Sequence, residues 1–162
     1  MVLKHLKGKS PYITDLIDYM KEPSSRTHCL IFERFGDHSL RQFIKEIYTP
    51  NDVKNIVRML LEALKTTHEN GIIHRDVKPD NIIYDTEDKK IKLIDWGLAE
   101  FALPEHSYNL RVSTRPFKCP EILINYRKYD YSFDLWGAGS ILACLVSLEA
   151  VKKESCVFRQ GS

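Results

Sequence analysis

The sequence predicts an α+β fold, mainly α, in which a long helix is followed by a small hairpin. Apolar residues recur at helical spacing through residues 50–70, as one buried helix face requires. Short apolar pairs then take the place of long alternating runs, which indicates small strands rather than a large sheet. A second helical segment covers residues 133–148. With 162 residues, the chain is long enough for one domain with a buried core.

Four short elements are predicted before the long helix. Residues 1–8 have the pattern of a helix end, which Gly8 can close. Residues 12–20 and 29–35 are predicted as two strands, joined by a polar turn that contains Pro23. Residues 37–48 are predicted to form a short helix.

Capping residues mark the start and the end of the long helix. Thr49 is a favourable N-cap, Pro50 suits the first helical position, and Asp52 lies in the first turn. Gly71 is predicted to end the helix. The predicted buried face consists of Val53, Ile56, Val57, Leu60, Leu64 and His68.

Three apolar pairs follow the long helix, at residues 72–73, 82–83 and 93–94. A polar turn at residues 85–90 lies between the last two pairs, as in a hairpin. Ser132 is a candidate N-cap for the final helix at residues 133–148. Residues 149–162 show no clear periodicity, and we expect them to form a disordered tail.

Composition excludes several classes of function. The net charge of +2 gives no overall signal for nucleic-acid binding. The longest apolar run, residues 135–148, is shorter than the roughly 20 residues that a bilayer span needs, so we expect no membrane insertion. The four cysteines have no zinc-site spacing, and the first residues do not form a signal peptide. Reduced thiols in an intracellular protein are therefore expected.

The most informative residues lie between the long helix and the hairpin. His74-Arg75-Asp76 and Asn81 match the catalytic-loop pattern His-Arg-Asp-x-x-x-x-Asn of protein kinases. Asp76 can accept the proton of an acceptor hydroxyl, and Lys78 can neutralise the transferred phosphate. Asn81 supplies an oxygen ligand for Mg²⁺. We predict catalytic roles for Asp76 and Lys78, and structural roles for His74 and Arg75.

A second motif follows the predicted hairpin. Asp95-Trp96-Gly97 stands at the place of the kinase Asp-Phe-Gly motif, where the Asp binds Mg²⁺ and Gly97 is structural. Alone, either motif is more simply a surface turn or a turn with a buried indole. In this order, with a strand pair between them, the two motifs predict a phosphoryl-transfer site.

Two further matches agree with a kinase. Pro120-Glu121 lies where kinases carry Ala-Pro-Glu, although Cys119 replaces the Ala. Asp134 opens the final helix and is predicted to brace the catalytic loop. A plain N-terminal Asp, favoured by the helix dipole, is the alternative explanation for Asp134.

The chain resembles the catalytic α subunits of casein kinase II, a family of eukaryotic Ser/Thr protein kinases. The resemblance covers residues 1–148 and is closest in the motifs at 74–79, 93–101, 108–112 and 129–132. Trp96, after the metal-binding Asp, is a mark of that family. The resemblance implies a partial kinase domain, with an N-lobe remnant and hinge at 1–35 and part of the C-lobe at 36–148.

The same resemblance implies a nucleotide site. Phe32 would stand at the back of the adenine pocket, and residues 33–35, including Glu33 and Phe35, would form the hinge that pairs with the base. Ile83 and Ile94 would pack against the adenine. Phe32, Ile83 and Ile94 could equally be core residues of any fold. ATP and Mg²⁺ are the implied cofactors.

Basic residues indicate the substrate class. Arg111, Arg115 and Lys118 lie before Glu121, and casein kinase II is similar at these three positions and prefers Ser/Thr followed by acidic residues. Clustered cations favour carboxylates on a substrate, although a solvated basic loop is the simpler alternative. Pro116 and Cys119 depart from the family pattern.

Two main hypotheses remain open. No Gly-rich loop and no Val-Ala-x-Lys strand occur in this sequence, so we expect a partial chain. It is either a kinase of the casein kinase II type or a catalytically inactive fragment or pseudokinase that acts only through binding. A small-molecule phosphotransferase is a third and weaker hypothesis. The resemblance further implies a regulatory β subunit as a partner, acidic protein substrates, and a location in nucleus and cytoplasm.

Overall fold

The computed structural model describes residues 2–36, 38–44 and 49–159, and side chains as far as Ser147. Helices α1–α5 span Val2–Leu6, Leu40–Phe43, Pro50–Glu69, Pro120–Leu123 and Ser132–Arg159. Strands β1–β6 span Leu16–Lys21, His28–Phe32, Ile72–Ile73, Ile82–Asp85, Lys90–Leu93 and Glu100–Phe101. Three 3-10 turns span Pro79–Asn81, Trp96–Leu98 and Arg115–Phe117. Helices combined with small antiparallel sheets agree with the predicted α+β class.

Helix α3 is the best-predicted element. The Thr49 hydroxyl accepts the backbone N–H of Asp52 at 3.1 Å, which confirms the predicted N-cap. The buried face includes Ile56, Leu60 and Leu64, each at most 1% exposed. A fully buried Leu or Ile side chain contributes about 1.5–3 kcal/mol, so this face anchors α3 against α5 and β5.

The hairpin after the catalytic loop also forms as predicted. Strands β4 and β5 pair antiparallel, with Ile82 opposite Leu93 and Ile83 opposite Lys92. A second pairing was not predicted: β3 pairs with β6, so that Ile73 lies opposite Glu100. The sequence contains no turn signal for this pairing because the whole β4–β5 hairpin lies between the two strands.

The first predicted strand begins too early. Strand β1 starts at Leu16 and pairs with β2, whereas Ile13 forms a parallel bridge with Leu93 of β5. Thr14 donates its backbone N–H to the Leu93 carbonyl at 3.1 Å. This segment is therefore attached to the β4–β5 hairpin rather than to β2. Strand β2 ends at Phe32, and residues 33–36 have no regular structure.

Two predicted helices have different bounds in the structure. Helix α2 is confined to Leu40–Phe43 and has a capping box between Ser39 and Gln42. The predicted remainder at residues 37 and 45–48 lies outside the described residues. Helix α5 continues past residue 148 to Arg159, so the backbone at 149–159 is helical where we expected a disordered tail. None of the described helices is both long and apolar enough to cross a membrane.

Among the described residues, buried apolar side chains form two clusters, and both include residues at or next to the catalytic loop. The larger cluster joins α1, α3, α5 and the β4–β5 hairpin. The smaller one packs residues 108–133 under Ile73 and includes Tyr108, Tyr129 and Phe133. Val77 belongs to the larger cluster and Ile73, just before the loop, to the smaller one. The loop is accordingly buried, and His74, Asp76 and Asn81 are at most 5% exposed.

Candidate active site

Asp134 holds the start of the catalytic loop. Its two carboxylate oxygens accept the backbone N–H groups of His74 and Arg75, each at 2.8 Å. His68 of α3 adds a third contact at 2.9 Å. Asp134 is completely buried, and a buried carboxylate requires several such partners. The structure thus places Asp134 where the sequence predicted a brace.

His74 links the catalytic loop to the second motif. Its Nε2 lies 3.1 Å from the carbonyl of Ile94, and its Nδ1 accepts the N–H of Asp76 at 3.3 Å. A ring nitrogen that accepts carries no proton, so Nε2–H donates to Ile94 in a neutral imidazole. Complete burial lowers the pKa of His74 below its ordinary value, against an opposing effect of the Asp134 charge.

Arg75 connects the loop to the segment after the second motif. Its backbone is left-handed, with φ 67°. The guanidinium donates to the Leu98 carbonyl at 2.6 Å, to Glu100 at 3.3 Å and to the Tyr129 hydroxyl at 3.3 Å. Arg75 therefore fixes β6 and the segment near Tyr129 relative to the catalytic loop.

The two carboxylate oxygens of Asp76 differ in their hydrogen bonds: Oδ2 has partners and Oδ1 has none among the described residues. Oδ2 accepts Lys78 Nζ at 2.6 Å and the Asn81 amide nitrogen at 2.9 Å. Oδ1 is buried and has no hydrogen-bond partner among the described residues. Such an atom is costly to bury. Asp76 thus keeps one acceptor oxygen that no described residue satisfies.

Thr114 is a contact of this site that sequence reasoning missed. Lys78 Nζ donates to the Thr114 hydroxyl at 3.0 Å, in addition to its bond with Asp76. Ser113, just before it, has φ 60°, a backbone conformation that favours glycine. The only local signal was a hydroxyl residue beside Arg115, because the contact joins positions 36 residues apart.

Asp95 and Asn81 lie at the same end of the β4–β5 hairpin. The N–H of Ile94 donates to the Asn81 carbonyl at 2.9 Å, which ties the two metal-ligand candidates together through the backbone. Asp95 is exposed and left-handed, and its Oδ1 accepts the Gly97 N–H at 3.4 Å. Trp96 is buried and donates to the Leu93 carbonyl at 3.3 Å.

Neither Asp95 nor Asn81 belongs to a closed metal cage. Among the described residues, no three His, Cys, Asp or Glu side chains are grouped to hold a metal. A carboxylate with one amide oxygen fits Mg²⁺, which is usually held by one or two protein groups together with phosphates and water. The donor set therefore suits a magnesium ion that arrives with a nucleotide.

A cavity of about 680 Å³ lies next to Asp95. All five residues predicted to contact a nucleotide line it: Phe32, Glu33, Phe35, Ile83 and Ile94. Asp95 and Gly97 line it as well. Sequence reasoning missed other lining residues, namely Val2, Leu3, Thr14, Leu30, Trp96 and Ala99. Phe32 is 40% exposed, so it is a cavity wall rather than a core residue.

The basic residues predicted to bind substrate remain available to solvent. Arg111 and Arg115 are exposed and Lys118 is partly exposed, and none of the three forms an ion pair within the described residues. Lys128, by contrast, pairs with Glu105 at 2.5 Å. Glu121 lies in α4, and its backbone carbonyl accepts the N–H of Tyr126. Its side chain makes no ion pair with a described residue.

Cys119 does not act as a reactive thiol. It is buried beside the start of α4, and this burial raises its pKa to about 11. Because a thiolate is the reactive form of cysteine, the side chain is a packing residue. This agrees with its place in the smaller apolar cluster.

A comparison with protein-family models agrees with this geometry. The model of the protein kinase domain matches residues 1–156, nearly the whole chain. The match includes the catalytic loop, the Asp95 motif and the residues that line the cavity. It supports kinase activity in general. On this match, together with the arrangement of Asp76, Lys78, Asn81 and Asp95, the chain belongs to the protein kinase family.

Proposed function

We propose that this protein is a Ser/Thr kinase of the casein kinase II α type, which transfers the γ-phosphate of ATP to Ser or Thr in acidic contexts. The observation that carries the proposal is the Asp76 carboxylate, which is oriented within the catalytic loop and keeps one oxygen, Oδ1, without a partner among the described residues. Its neighbour Oδ2 is already held by Lys78 and Asn81. This leaves the lone pairs of Oδ1 without a donor, and the hydroxyl group of a substrate would supply one.

The reaction follows from that arrangement. The carboxylate of Asp76 accepts the proton of the acceptor hydroxyl while the hydroxyl oxygen attacks the γ-phosphorus. The bond from the γ-phosphorus to the bridging oxygen breaks, and ADP leaves with that electron pair. Lys78, held between Asp76 and Thr114, supplies positive charge beside the transferred group.

Kinases in general use ATP with Mg²⁺, and the residues of this chain fit both. The aromatic and aliphatic walls of the cavity, Phe32, Phe35, Ile83 and Ile94, suit a purine base. Asp95 and the amide oxygen of Asn81 would hold the magnesium ion, which neutralises phosphate charge when bound.

The preference for acidic substrates rests on Arg111, Arg115 and Lys118. Their charges are not neutralised by described residues, so carboxylates or phosphates of a peptide could neutralise them. The resemblance to casein kinase II extends the proposal to a regulatory β subunit as partner and to activity in nucleus and cytoplasm.

One observation favours the alternative of a pseudokinase that acts through binding. The described residues that line the cavity include two acids, Glu33 and Asp95, but neither a lysine nor an arginine. Kinases use a lysine to hold the α- and β-phosphates. A chain without that charge could bind nucleotide or substrate and yet transfer phosphate slowly.

The test is transfer of ³²P from labelled ATP with Mg²⁺ to an acidic Ser peptide. We expect transfer by the unsubstituted chain and its loss in Asp95→Ala and in Asp76→Asn. The matched control is Asp80→Asn, because Asp80 is in the same loop but pairs with Arg41 at the surface. Transfer that persists in Asp76→Asn contradicts the proposed role of this residue.

A second arm separates the two hypotheses. Equal transfer to acidic and neutral peptides would contradict the proposed substrate class. If no peptide is labelled but a fluorescent ATP analogue binds, the pseudokinase alternative is supported. If neither labelling nor nucleotide binding occurs, the assignment of the cavity is wrong.

A further inference from the structure

Lys92 lies behind the wall of the cavity and contacts several of the residues that form it. It is in β5, directly opposite Ile83 of β4. On the other face of this hairpin Ile82, Ile91 and Leu93 are completely buried in the core. Ile83 and Lys92 therefore share the face that is turned toward the cavity.

The side chain of Lys92 makes two contacts with the segment after β2. Its Nζ forms an ion pair and hydrogen bond with Glu33 Oε1. The same Nζ lies 5.3 Å from the centre of the Phe35 ring, which is cation–π distance. Glu33, Phe35 and Ile83 all line the cavity, whereas Lys92 does not. Lys92 thus contacts three wall residues from outside the cavity.

Glu33 extends this contact to a third part of the chain. Its Oε1 also accepts the backbone N–H of Asp15 at 2.7 Å, and its own N–H donates to the Asp15 carbonyl at 3.3 Å. The side chain of Lys92 is only 12% exposed and that of Glu33 is 30% exposed. Solvent screens such a pair less than it screens a surface pair.

The other lysines of the hairpin differ from Lys92. Lys89 and Lys90 have side chains that are 65% and 58% exposed, and they pair with Asp52 and Asp88. Both partners lie away from the cavity lining. Lys90 is in the same strand as Lys92 and has the same side chain, so it provides a matched control.

We propose that Lys92 is a positioning residue of the nucleotide site. It holds Glu33 and Phe35 in place and thereby determines how tightly the base end of the cavity binds a purine. This inference rests on the proposed function, in which the cavity accepts ATP. Lys92 itself does not touch the nucleotide.

The test is titration of the purified chain with a fluorescent methylanthraniloyl-ATP, followed by competition with ATP and with adenosine. We expect Lys92→Met to raise the Kd about tenfold, as for loss of one charged hydrogen bond. The Kd of adenosine should rise by the same factor as that of ATP, because the effect lies at the base end of the cavity. Lys92→Arg should restore the Kd to within about threefold, and Lys90→Met should leave it unchanged.

Two further measurements separate positioning from general stability. Urea unfolding shows whether Lys92→Met is folded under the binding conditions. Glu33→Gln tests the pair without removing the lysine, and the double variant should bind no worse than Lys92→Met alone, because both substitutions break one contact.

The outcomes are distinguishable. If the unsubstituted chain binds neither ATP nor adenosine, the assignment of the cavity fails, and the inference fails with it. If the unsubstituted chain binds but Lys92→Met and Glu33→Gln bind equally well, the nucleotide site remains and the role of Lys92 is overturned. Loss of ATP affinity without loss of adenosine affinity would also overturn it.

Discussion

The Asp134 carboxylate accepts the backbone N–H of Arg75 at 2.8 Å, although the two residues are 59 positions apart. The same carboxylate accepts the N–H of His74. Helix α5 therefore holds the peptide groups just before Asp76, and the left-handed backbone of Arg75 is stabilised by this contact.

Replacing Asp134 by Asn should destabilise the protein. An amide has one acceptor oxygen, so one of the two backbone N–H groups would face an NH₂ group in a completely buried site. We expect a loss of about 1–3 kcal/mol in the free energy of unfolding, measured by urea denaturation. Asp88→Asn, at an exposed turn, should change it by less than about 0.5 kcal/mol. Equal effects of the two substitutions would contradict the proposed brace.

The buried His74 predicts a dependence of stability on pH. Its pKa is lowered in the folded protein, so at acidic pH the unfolded chain binds a proton that the folded chain resists. Stability therefore rises with pH wherever the unfolded state binds more protons. The contribution of neutral His74 to the free energy of unfolding is complete above the unfolded-state pKa of about 6.5, and it is lost progressively as the pH falls below that value.

The measurement is urea unfolding at several pH values between 5 and 7.5. The fall in unfolding free energy below about pH 6.5 should be smaller in His74→Gln than in the unsubstituted chain, because this variant has one titrating group fewer. His106→Gln, at an exposed position, should keep the original slope. A His74→Gln variant with an unchanged slope would show that His74 does not contribute.

Gly137 allows a close approach between α5 and the catalytic loop. A Cβ at this position would lie 2.7 Å from the Val77 carbonyl oxygen and 2.8 Å from the Val77 Cβ. Gly137→Ala should therefore displace the loop and cost about 1–3 kcal/mol in unfolding free energy. Gly139→Ala, two residues on with nothing within 4 Å, should instead stabilise α5 by up to about 1 kcal/mol. Urea unfolding of both variants tests whether the two substitutions change the free energy of unfolding in opposite directions.

The unpaired arginines predict how a substrate peptide binds. Arg111→Gln and Arg115→Gln should each raise the Kd of a fluorescent acidic peptide about two- to fivefold, the range expected for one exposed charge pair. Binding should weaken as salt is added. Lys128→Gln should have a smaller effect, because Lys128 is already paired with Glu105. Fluorescence anisotropy titrations measure the Kd of the peptide for all three variants. Equal changes in Kd would indicate nonspecific electrostatic attraction.

Local rules explain which parts of the molecule could be predicted. The Thr49 cap and the periodic face of α3 depend on residues within a few positions of one another. The β4–β5 hairpin joins neighbours in sequence through one polar turn. The residue types of the catalytic loop could also be recognised because phosphoryl transfer demands an acid, a cation and an oxygen ligand at fixed spacing. Their placement beside the cavity follows from these elements.

Contacts between residues far apart in the sequence decided the parts of the fold and of the site that could not be predicted. Strands β3 and β6 pair although the whole β4–β5 hairpin lies between them in the sequence. Lys78 and Thr114 form a hydrogen bond although they are 36 residues apart. The unpartnered Asp76 Oδ1 and the ion pair of Lys92 with Glu33 depend on how side chains pack around them. A sequence motif names the residue types that phosphoryl transfer needs, whereas burial and hydrogen bonding across the folded chain determine which oxygen is left without a partner and which charge lies behind the cavity wall.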